Sequence, residues 1–476
     1  MHSVTCKPLG AHLSTQPAPS PRPSPALSSP PPAPLVGLVA PGNAFSLRPV
    51  LETKKLGLSE IADFQGHTKH ELWDLFSSAD YDRHLHVCPL RNCLVKTPQT
   101  HHVEARSAEI GRPTLPSEVG IIICDITTPT SLDEMARQAA IVLNCVGPYR
   151  FYGEPVVKAC IENGTSCIDI SGEPQFLELM YWKYHQKAAE KGVYIIGSSG
   201  FDSIPADMGV IYTSNKINGT LTAVESFLTI NSGPEGLCIH DGTWKSAVYG
   251  FGNQNQLKKL RNQSNLKPVP IVGAKLKRRW PVSYCRELSS YSIPFLGADV
   301  SVVKRTQRYL HENLDQSPVQ YAAYVTVGGI TSVIKLMFAG LFFLLFVKFG
   351  IGRQLLIRFP WLFSFGYFSK QGPTQKQIDA ASFTMTFFGQ GYSHGCSTEN
   401  NKPNIRVCTQ VKGPEAGYIA TPIAMVQAAM TLLNDVSNLP SVGGVFTPGA
   451  AFAKTKLIDR LNRRGLEFSV ISSSEV

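Results

Sequence analysis

The chain has 476 residues, enough for two or three domains, and its 43% hydrophobic and 17% charged residues are ordinary for a globular protein. A formal net charge of +10 predicts an anionic partner. Charge alone does not show whether this partner is a phosphate-bearing cofactor, a lipid surface or nucleic acid. The 11 cysteines include no CxxC pair, and the first residues lack the charged-then-apolar order of a secretion signal. We therefore expect free thiols in an intracellular, reducing compartment.

The N-terminal part carries little sign of folded structure. Residues 1–49 are rich in proline and serine, a composition that buries too little apolar surface to offset the entropy of ordering, so we predict disorder there. Residues 50–110 mix short apolar runs with His, Asp and Lys and show no strand-then-helix rhythm. We expect an irregular segment.

A strand-and-helix rhythm begins at residue 111 and predicts an α/β domain with a Rossmann-like, doubly wound parallel sheet over residues 111–218. Apolar, β-rich runs of the type buried on both faces predict four strands, at 119–126, 141–146, 166–170 and 193–196. A capping-box pattern and N-terminal prolines predict the crossover helices, which begin at 131, 155 and 174.

The pattern of residues 219–476 predicts a second, α+β domain. Apolar and polar residues alternate at 221–230 and 382–388, which predicts a separate antiparallel sheet with one covered face. Helices are predicted at 422–434 and 454–464, packed on that sheet or returning to the first domain. We expect this domain to bind the substrate.

The loops after the second, third and fourth predicted strands should line one crevice, because ligands of parallel sheets bind at the carboxyl ends of the strands. We assign cofactor binding to six residues of these loops: Asn144, Gly147, Pro148, Asp169, Gly172 and Ser199. Tyr149 could stack on a ring or donate a hydrogen bond, and Asp202 could transfer a proton. For each carboxylate taken alone, capping a helix or shaping a turn is the simpler role.

The segment 240–246 groups a possible proton donor, His240, with a small-residue turn and the cation Lys245. We count His240 as a third catalytic candidate beside Tyr149 and Asp202. A helix start capped by Asp241 or Thr243 explains the same residues equally well. No metal site is expected.

Three passages, 142–154, 167–173 and 200–207, resemble saccharopine dehydrogenase-like oxidoreductases, and the resemblance extends from residue 111 to the C-terminus. It implies hydride transfer with NADP or NAD. Members resemble trans-acting enoyl reductases, which implies a lipid-like substrate in lipid or glycolipid metabolism, at a lipid droplet, membrane or mitochondrial location. The family name does not imply that saccharopine is the substrate.

The chain departs from this family where the family's first strand and glycine-rich phosphate turn are expected. Gly37 and Gly42 match that turn poorly, because Pro41 interrupts it and a third glycine is absent. We therefore expect an N-terminally truncated sheet and weak or absent cofactor binding. A second glycine-rich run, 389–395, is followed by no helical pattern and is interpreted as a hairpin connection.

The most apolar run, 336–347, would make a helix of about 18 Å, shorter than the roughly 30 Å hydrocarbon core of a bilayer. With its aromatic and basic continuation to 368, it predicts insertion into one face of an anionic membrane or lipid droplet. The alternative is a buried helical hairpin. The basic run 275–280 could meet lipid headgroups, and we expect no nucleic acid partner. A non-catalytic lipid-surface scaffold is the rival to the enzyme.

Overall fold

The computed structural model describes residues 35–38, 122, 124–264, 266–398 and 402–475. The predicted irregular segment 50–110 lies outside these residues, as does the predicted disordered segment apart from 35–38. The structural statements that follow concern the described residues.

The first sheet contains five parallel strands in the order β1-β2-β3-β4-β13. Three of the predicted strands are confirmed, as β2 (Ile141–Asn144), β3 (Ser166–Asp169) and β4 (Tyr194–Ile196). All four residues of β2 are buried, as its uninterrupted apolar pattern predicts for an interior parallel strand. The C-terminal strand β13 (Gly444–Phe446) joins the sheet beside β4 and was not predicted.

The strand that pairs with the outer side of β2 is β1 (Leu35–Leu38), with Leu38 opposite Asn144. The predicted strand at 119–126 is wrong where it can be seen, because Ile122 and residues 124–126 are in no strand. The prediction of disorder is likewise wrong for 35–38, since an average over a proline-rich segment conceals a short apolar run. A run of apolar residues reports burial but not which run pairs with a given edge.

Four helices connect or follow these strands: α1 (Pro129–Arg137), α2 (Tyr149–Glu162), α3 (Pro174–Glu190) and α4 (Ile204–Ser214). Proline stands in the first turn of α1, α3 and α4, where its missing N–H costs nothing. Helix α2 begins earlier than predicted and holds Pro155 inside it. The reason is a tertiary contact, since the carboxylate of Glu173 accepts hydrogen bonds from the N–H groups of Tyr149 and Arg150.

The second sheet has seven strands in the order β14-β12-β11-β5-β9-β8-β7. Its strands are β5 (Gly219–Asn231), β7 (Ser283–Cys285), β8 (Ser290–Pro294), β9 (Gln320–Val327), β11 (Ser382–Ser393), β12 (Ile405–Pro414) and β14 (Glu467–Glu475). Neighbours are antiparallel except β5 and β9, which are parallel. The glycine-rich run 389–395 lies in β11 and its turn towards the antiparallel β12, so the hairpin prediction is confirmed.

The remaining helices are α5 (Asp241–Gly252), α6 (Gln254–Gln263), α7 (Asp299–Leu314), α8 (Ile330–Val347), α9 (Gly350–Arg358), α10 (Pro360–Phe363), α11 (Gln375–Ala380), α12 (Thr421–Asn434), α13 (Pro448–Phe452) and α14 (Leu457–Asn462). A two-stranded parallel pair joins β6 (Ile239–His240) to β10 (Phe368–Ser369). One apolar core contains residues of both large sheets, among them Ile168, Ile196, Val224 and Phe387. The two sheets therefore stabilise each other.

Candidate functional site

The loops after β2, β3 and β4 meet at one edge of the first sheet, as predicted. The N–H of Ser198 donates to Asp169 Oδ1 over 3.1 Å, and the N–H of Ser199 donates to the Asp169 carbonyl over 2.7 Å. The Ser198 hydroxyl donates to the carbonyl of Ser171 over 2.7 Å. These bonds lock the second loop to the third, and they place Asp169 and Ser199 in the loop framework.

Burial shapes the acidity of Asp169. Only 2% of the residue is exposed, and desolvation raises its carboxyl pKa to about 7, although the N–H groups of Ser171 and Ser198 and the nearby Arg305 oppose the shift. Asp169 and Arg305 also line a small cavity between α3, β4 and β13. Asp169 therefore titrates near neutral pH at the floor of the crevice.

Glu173 joins the first two loops to the second part of the chain. Its Oε1 accepts from the N–H of Tyr149 over 2.9 Å and from the Ser246 hydroxyl on α5 over 3.1 Å. Its Oε2 accepts from Arg150 Nε over 3.0 Å. Both side chains of this ion pair are almost wholly buried. Arg150 also donates to the carbonyl of Tyr249 over 2.8 Å. This junction was not predicted, because no local pattern links residues so far apart in sequence.

Asn144 ends strand β2 with an unsatisfied polar group. Its side chain is buried, and its Oδ1 accepts from the N–H of Val146 over 3.1 Å. Its Nδ2 has no hydrogen-bond partner among the described residues, and a buried donor without a partner is costly. Tyr149 donates its hydroxyl to the Asn144 carbonyl over 2.9 Å, and its ring packs on Phe176. Tyr149 thus holds Asn144 in place and does not present a free face for stacking.

Glycines make the loops compact. A Cβ on Gly172 would lie 2.7 Å from Asp202 Oδ2, and one on Gly197 would lie 2.5 Å from a Leu177 methyl. Gly147 and Pro148, joined by a cis peptide bond, are partly exposed beside Tyr149. A nucleotide could approach the backbone closely here, and the unpaired Asn144 Nδ2 could donate to it.

Asp202 is partly buried and lies near two buried acids, Asp207 and Asp299. Burial raises the pKa of Asp202. Burial raises the pKa of Asp299 well above its usual range, repulsion from Asp202 adds to this, and a hydrogen bond from Ser203 opposes it. The pKa of Asp207 rises to about 6 through burial, against hydrogen bonds from Thr306 and the Gly449 N–H. Burial therefore favours the protonated form of all three carboxyl groups. Asp299 was not predicted, since α7 carries no recognisable motif.

His240 lies on the second part of the chain, at the N-terminus of α5. The predicted helix start is confirmed, but the predicted caps Asp241 and Thr243 are wrong, because the N–H of Gly242 donates to His240 Nδ1 over 2.9 Å and His240 is the cap. Nδ1 is then an acceptor, and the ring proton of the neutral form sits on Nε2. The 3.4 Å separation of Nδ1 from Asp241 Oδ1 is not an ion pair in that state. Asp241 pairs instead with Lys245 over 2.9 Å.

The structure brings seven predicted site residues to the crevice loops, together with Asp202: Asn144, Gly147, Pro148, Tyr149, Asp169, Gly172 and Ser199. His240 reaches this edge only through α5, whose Ser246 contacts Glu173. Within the described ranges, no group of His, Cys, Asp or Glu side chains is arranged to hold a metal ion.

A second candidate surface is the apolar hairpin, residues 330–368, which comprises α8, α9 and α10. Its large side chains recur at helical spacing along one outward face of α8 and are about half exposed, among them Ile334, Phe338, Leu341 and Leu345. Two helical stretches of the described chain are long and apolar enough to cross a membrane, Ile330–Val347 and Ala416–Asn434, and their windows are 11% and 50% buried. Helix α8 has 18 residues and is longer than the apolar run 336–347, whose shortness was the reason to predict that it does not cross a bilayer.

This chain is similar to several known proteins. The family model described as the saccharopine dehydrogenase NADP binding domain matches residues 81–196. A bovine saccharopine dehydrogenase-like oxidoreductase is 84% identical over 79% of this chain and 87% of its own length. A Caenorhabditis elegans lipid droplet localized protein is 38% identical, covering 76% of this chain and 86% of its own. A probable mitochondrial relative from Arabidopsis thaliana is 34% identical, covering 75% and 84%.

Proposed function

Because the chain belongs to the saccharopine dehydrogenase-like oxidoreductase family, we propose that it catalyses NADP- or NAD-dependent hydride transfer on a lipid-like substrate at a phospholipid surface. The observation that carries the cofactor part is Asn144 Nδ2, a buried donor at the carboxyl edge of a parallel sheet that has no hydrogen-bond partner in the part of the chain that the structure describes. A nucleotide atom in the crevice would satisfy it.

The cofactor would be held by the loop residues of the crevice: Asn144, Gly147, Pro148, Asp169, Gly172 and Ser199. Asn144 would donate to it, Gly147 and Pro148 would let it approach the backbone, and Gly172 would leave space beside Asp202. Asp169 and Ser199 would act by holding the loops together. When bound, a nicotinamide supplies or accepts a hydride.

The proton that accompanies the hydride would come from the chain. Asp202 is our first candidate, because burial favours its protonated form and Asp299 beside it can share the proton. His240 would act through α5, whose N-terminus it caps and whose Ser246 contacts Glu173. Tyr149 would position Asn144 rather than react. The Asp202→Asn variant should lose at least about 100-fold in kcat, within the usual contribution of general acids.

The lipid surface would be met by the apolar hairpin. Residues 330–370 contain five Lys and Arg residues and no Asp or Glu, so the surface suits a leaflet or monolayer with anionic phospholipids. Both ends of α8 are anchored in the protein, since Val333 and Val347 are buried. A helix so anchored would lie along the lipid surface instead of crossing it. The same position would let a lipid-like substrate be taken from the surface.

Flotation with vesicles of phosphatidylcholine and phosphatidylserine tests the lipid part. Replacing Phe338, Leu341 and Leu345 together by Glu should weaken binding at least about 100-fold, because each large apolar side chain contributes about 1.5–3 kcal/mol when buried. Ile271→Glu, at an exposed apolar residue outside the hairpin, is the matched control. Equal flotation of the triple variant and the control would refute this surface, and protease protection of a single terminus in sealed vesicles would show a crossing helix.

We further propose that this chain binds NADPH weakly, because the sequence lacks the family's glycine-rich phosphate turn. Three lost hydrogen bonds at about 1.5 kcal/mol each total about 4.5 kcal/mol, or roughly a thousandfold, which predicts millimolar affinity. The test is calorimetric titration beside a chain that carries the usual N-terminus. Micromolar binding by this chain would contradict the prediction. The absent turn also favours the second candidate, a non-catalytic lipid-surface scaffold, which vesicle binding without any NADPH oxidation would support.

A further inference from the structure

Helix α5 has one face against the apolar hairpin. Trp244, Val248 and Phe251 recur at helical spacing and belong to a cluster with hairpin residues. The Trp244 ring lies 5.1 Å from the ring of Phe343, and its indole N–H donates to the carbonyl of Leu356 over 2.9 Å. The hairpin is therefore fixed to α5 by packing and by a directed hydrogen bond.

The other face of α5 lies against the crevice loops. Ser246 donates to Glu173, and the carbonyl of Tyr249 accepts from Arg150. The Tyr249 ring also meets Phe151, with ring centres 5.1 Å apart. Both crevice partners belong to the junction that caps helix α2, so α5 contacts the first turn of α2, which directly follows the loop that carries Asn144, Gly147 and Pro148.

The backbone makes a further link between the hairpin and this helix. Strand β6, which leads directly into α5, pairs in parallel with β10, the segment in which the hairpin ends. Ser369 stands opposite His240 in this pairing. The catalytic candidate of the second domain is thereby tied to the end of the hairpin.

We propose that α5 couples the lipid surface to the cofactor crevice, so that engagement of the hairpin by phospholipid stabilises the Glu173 junction. This inference rests on the proposed lipid surface. A helix held on both faces transmits displacement from one to the other, since its hydrogen-bonded backbone resists bending. Lipid that holds the hairpin still removes motions of α5 that break the bond from Ser246 to Glu173. By linkage, a ligand that favours the closed junction strengthens lipid binding by the same factor.

Hydrogen exchange of the full chain, with and without phosphatidylcholine and phosphatidylserine vesicles, tests the coupling. The reporters are the amides of Tyr149 and Arg150, which donate to Glu173. Vesicles should slow their exchange at least about fivefold, the lower end of usual coupling between sites. Ser246→Ala should abolish this slowing. Trp244→Phe, which keeps a ring but cannot donate to Leu356, should reduce it.

The matched control is Ser301→Ala, which removes a hydroxyl-to-glutamate bond of 2.7 Å between α7 and α3 that does not involve α5. It should retain the slowing, and an equal loss in this variant would overturn the proposal. Slower exchange in the hairpin with unchanged exchange at Tyr149 and Arg150 would overturn the coupling and leave the lipid surface intact. Unchanged exchange in the hairpin itself would refute the lipid surface and the coupling with it.

Discussion

Helix α8 and the stretch that contains α12 are both apolar enough to cross a membrane, yet the protein uses them in opposite ways. Helix α12 presents Ala424, Ala428 and Ala429 to the core shared by the two sheets, and these small residues allow close packing. Helix α8 carries Phe and Leu, and most of its window faces outward. Apolarity alone therefore does not distinguish a core helix from a candidate lipid-binding helix, whereas exposure in the fold does.

The apolar hairpin and the crevice edge also differ in how much of their side-chain surface is buried. The hairpin leaves large apolar side chains exposed, so substitutions there should alter the proposed lipid binding and spare stability. The crevice edge buries carboxylates that several donors satisfy, so truncating such a side chain should lower stability first. Each prediction below compares a buried or crowded site with an exposed or open one.

The largest difference in stability should come from one glutamate placed in each helix. Ala428→Glu puts a charge where the residue is fully buried, and should cost more than about 4 kcal/mol or prevent folding. Leu341→Glu, at a residue 63% exposed, should change the free energy of unfolding by about 0.5 kcal/mol or less. Urea denaturation measures both, and similar losses in the two variants would show that α8 is packed against the protein.

Glu173→Ala tests the buried junction at the crevice. It leaves Arg150 buried without its partner and frees the Tyr149 N–H and the Ser246 hydroxyl, so we expect a loss of about 3–5 kcal/mol in unfolding free energy. The control is Glu162→Ala, which breaks a surface pair with Lys187 and should cost at most about 1 kcal/mol. A loss for Glu173→Ala as small as that of the control would mean that solvent replaces its bonds.

Stability should depend on pH through Asp169. Its pKa is raised from 3.8 to about 7 in the folded state, so the folded protein binds more protons between these values and its stability falls as pH rises through this window. A shift of about three units corresponds to at most roughly 4 kcal/mol. Asp169→Asn should flatten the profile and be the more stable form at pH 8. Asp459→Asn, at an exposed site, should leave the profile unchanged, and an unaltered profile in Asp169→Asn would contradict this assignment.

The smallest effect distinguishes two glycines. Gly172→Ala forces a Cβ to within 2.7 Å of Asp202 and should cost about 1–3 kcal/mol. Gly340→Ala in α8 meets no atom within 4 Å and should stabilise the helix by up to about 1 kcal/mol. Thermal unfolding of both variants gives the comparison, and a destabilised Gly340→Ala would indicate a neighbour of α8 that its exposed surface does not suggest.

Local sequence patterns predict the α/β class, the interior strands β2, β3 and β4, the loops that follow them and the family. These features are local. An uninterrupted apolar run indicates a parallel strand that is buried on both faces, and the loop residues are those that directly follow each strand. The glycine-rich run at 389–395 was also interpreted correctly, since the absence of a following helix is a local signal.

Contacts between distant parts of the chain determine which segments pair and which apolar residues are exposed. Residues 35–38 pair with the edge of β2 where a different strand was predicted, and β13, near the C-terminus, pairs with β4. Glu173 accepts hydrogen bonds from Tyr149, Arg150 and Ser246. Contacts between distant parts of the chain also determine that α8 is exposed and that α12 is buried. Pairing and exposure depend on contacts between residues distant in the chain, and local apolarity does not encode them because it reports only how strongly a segment avoids water.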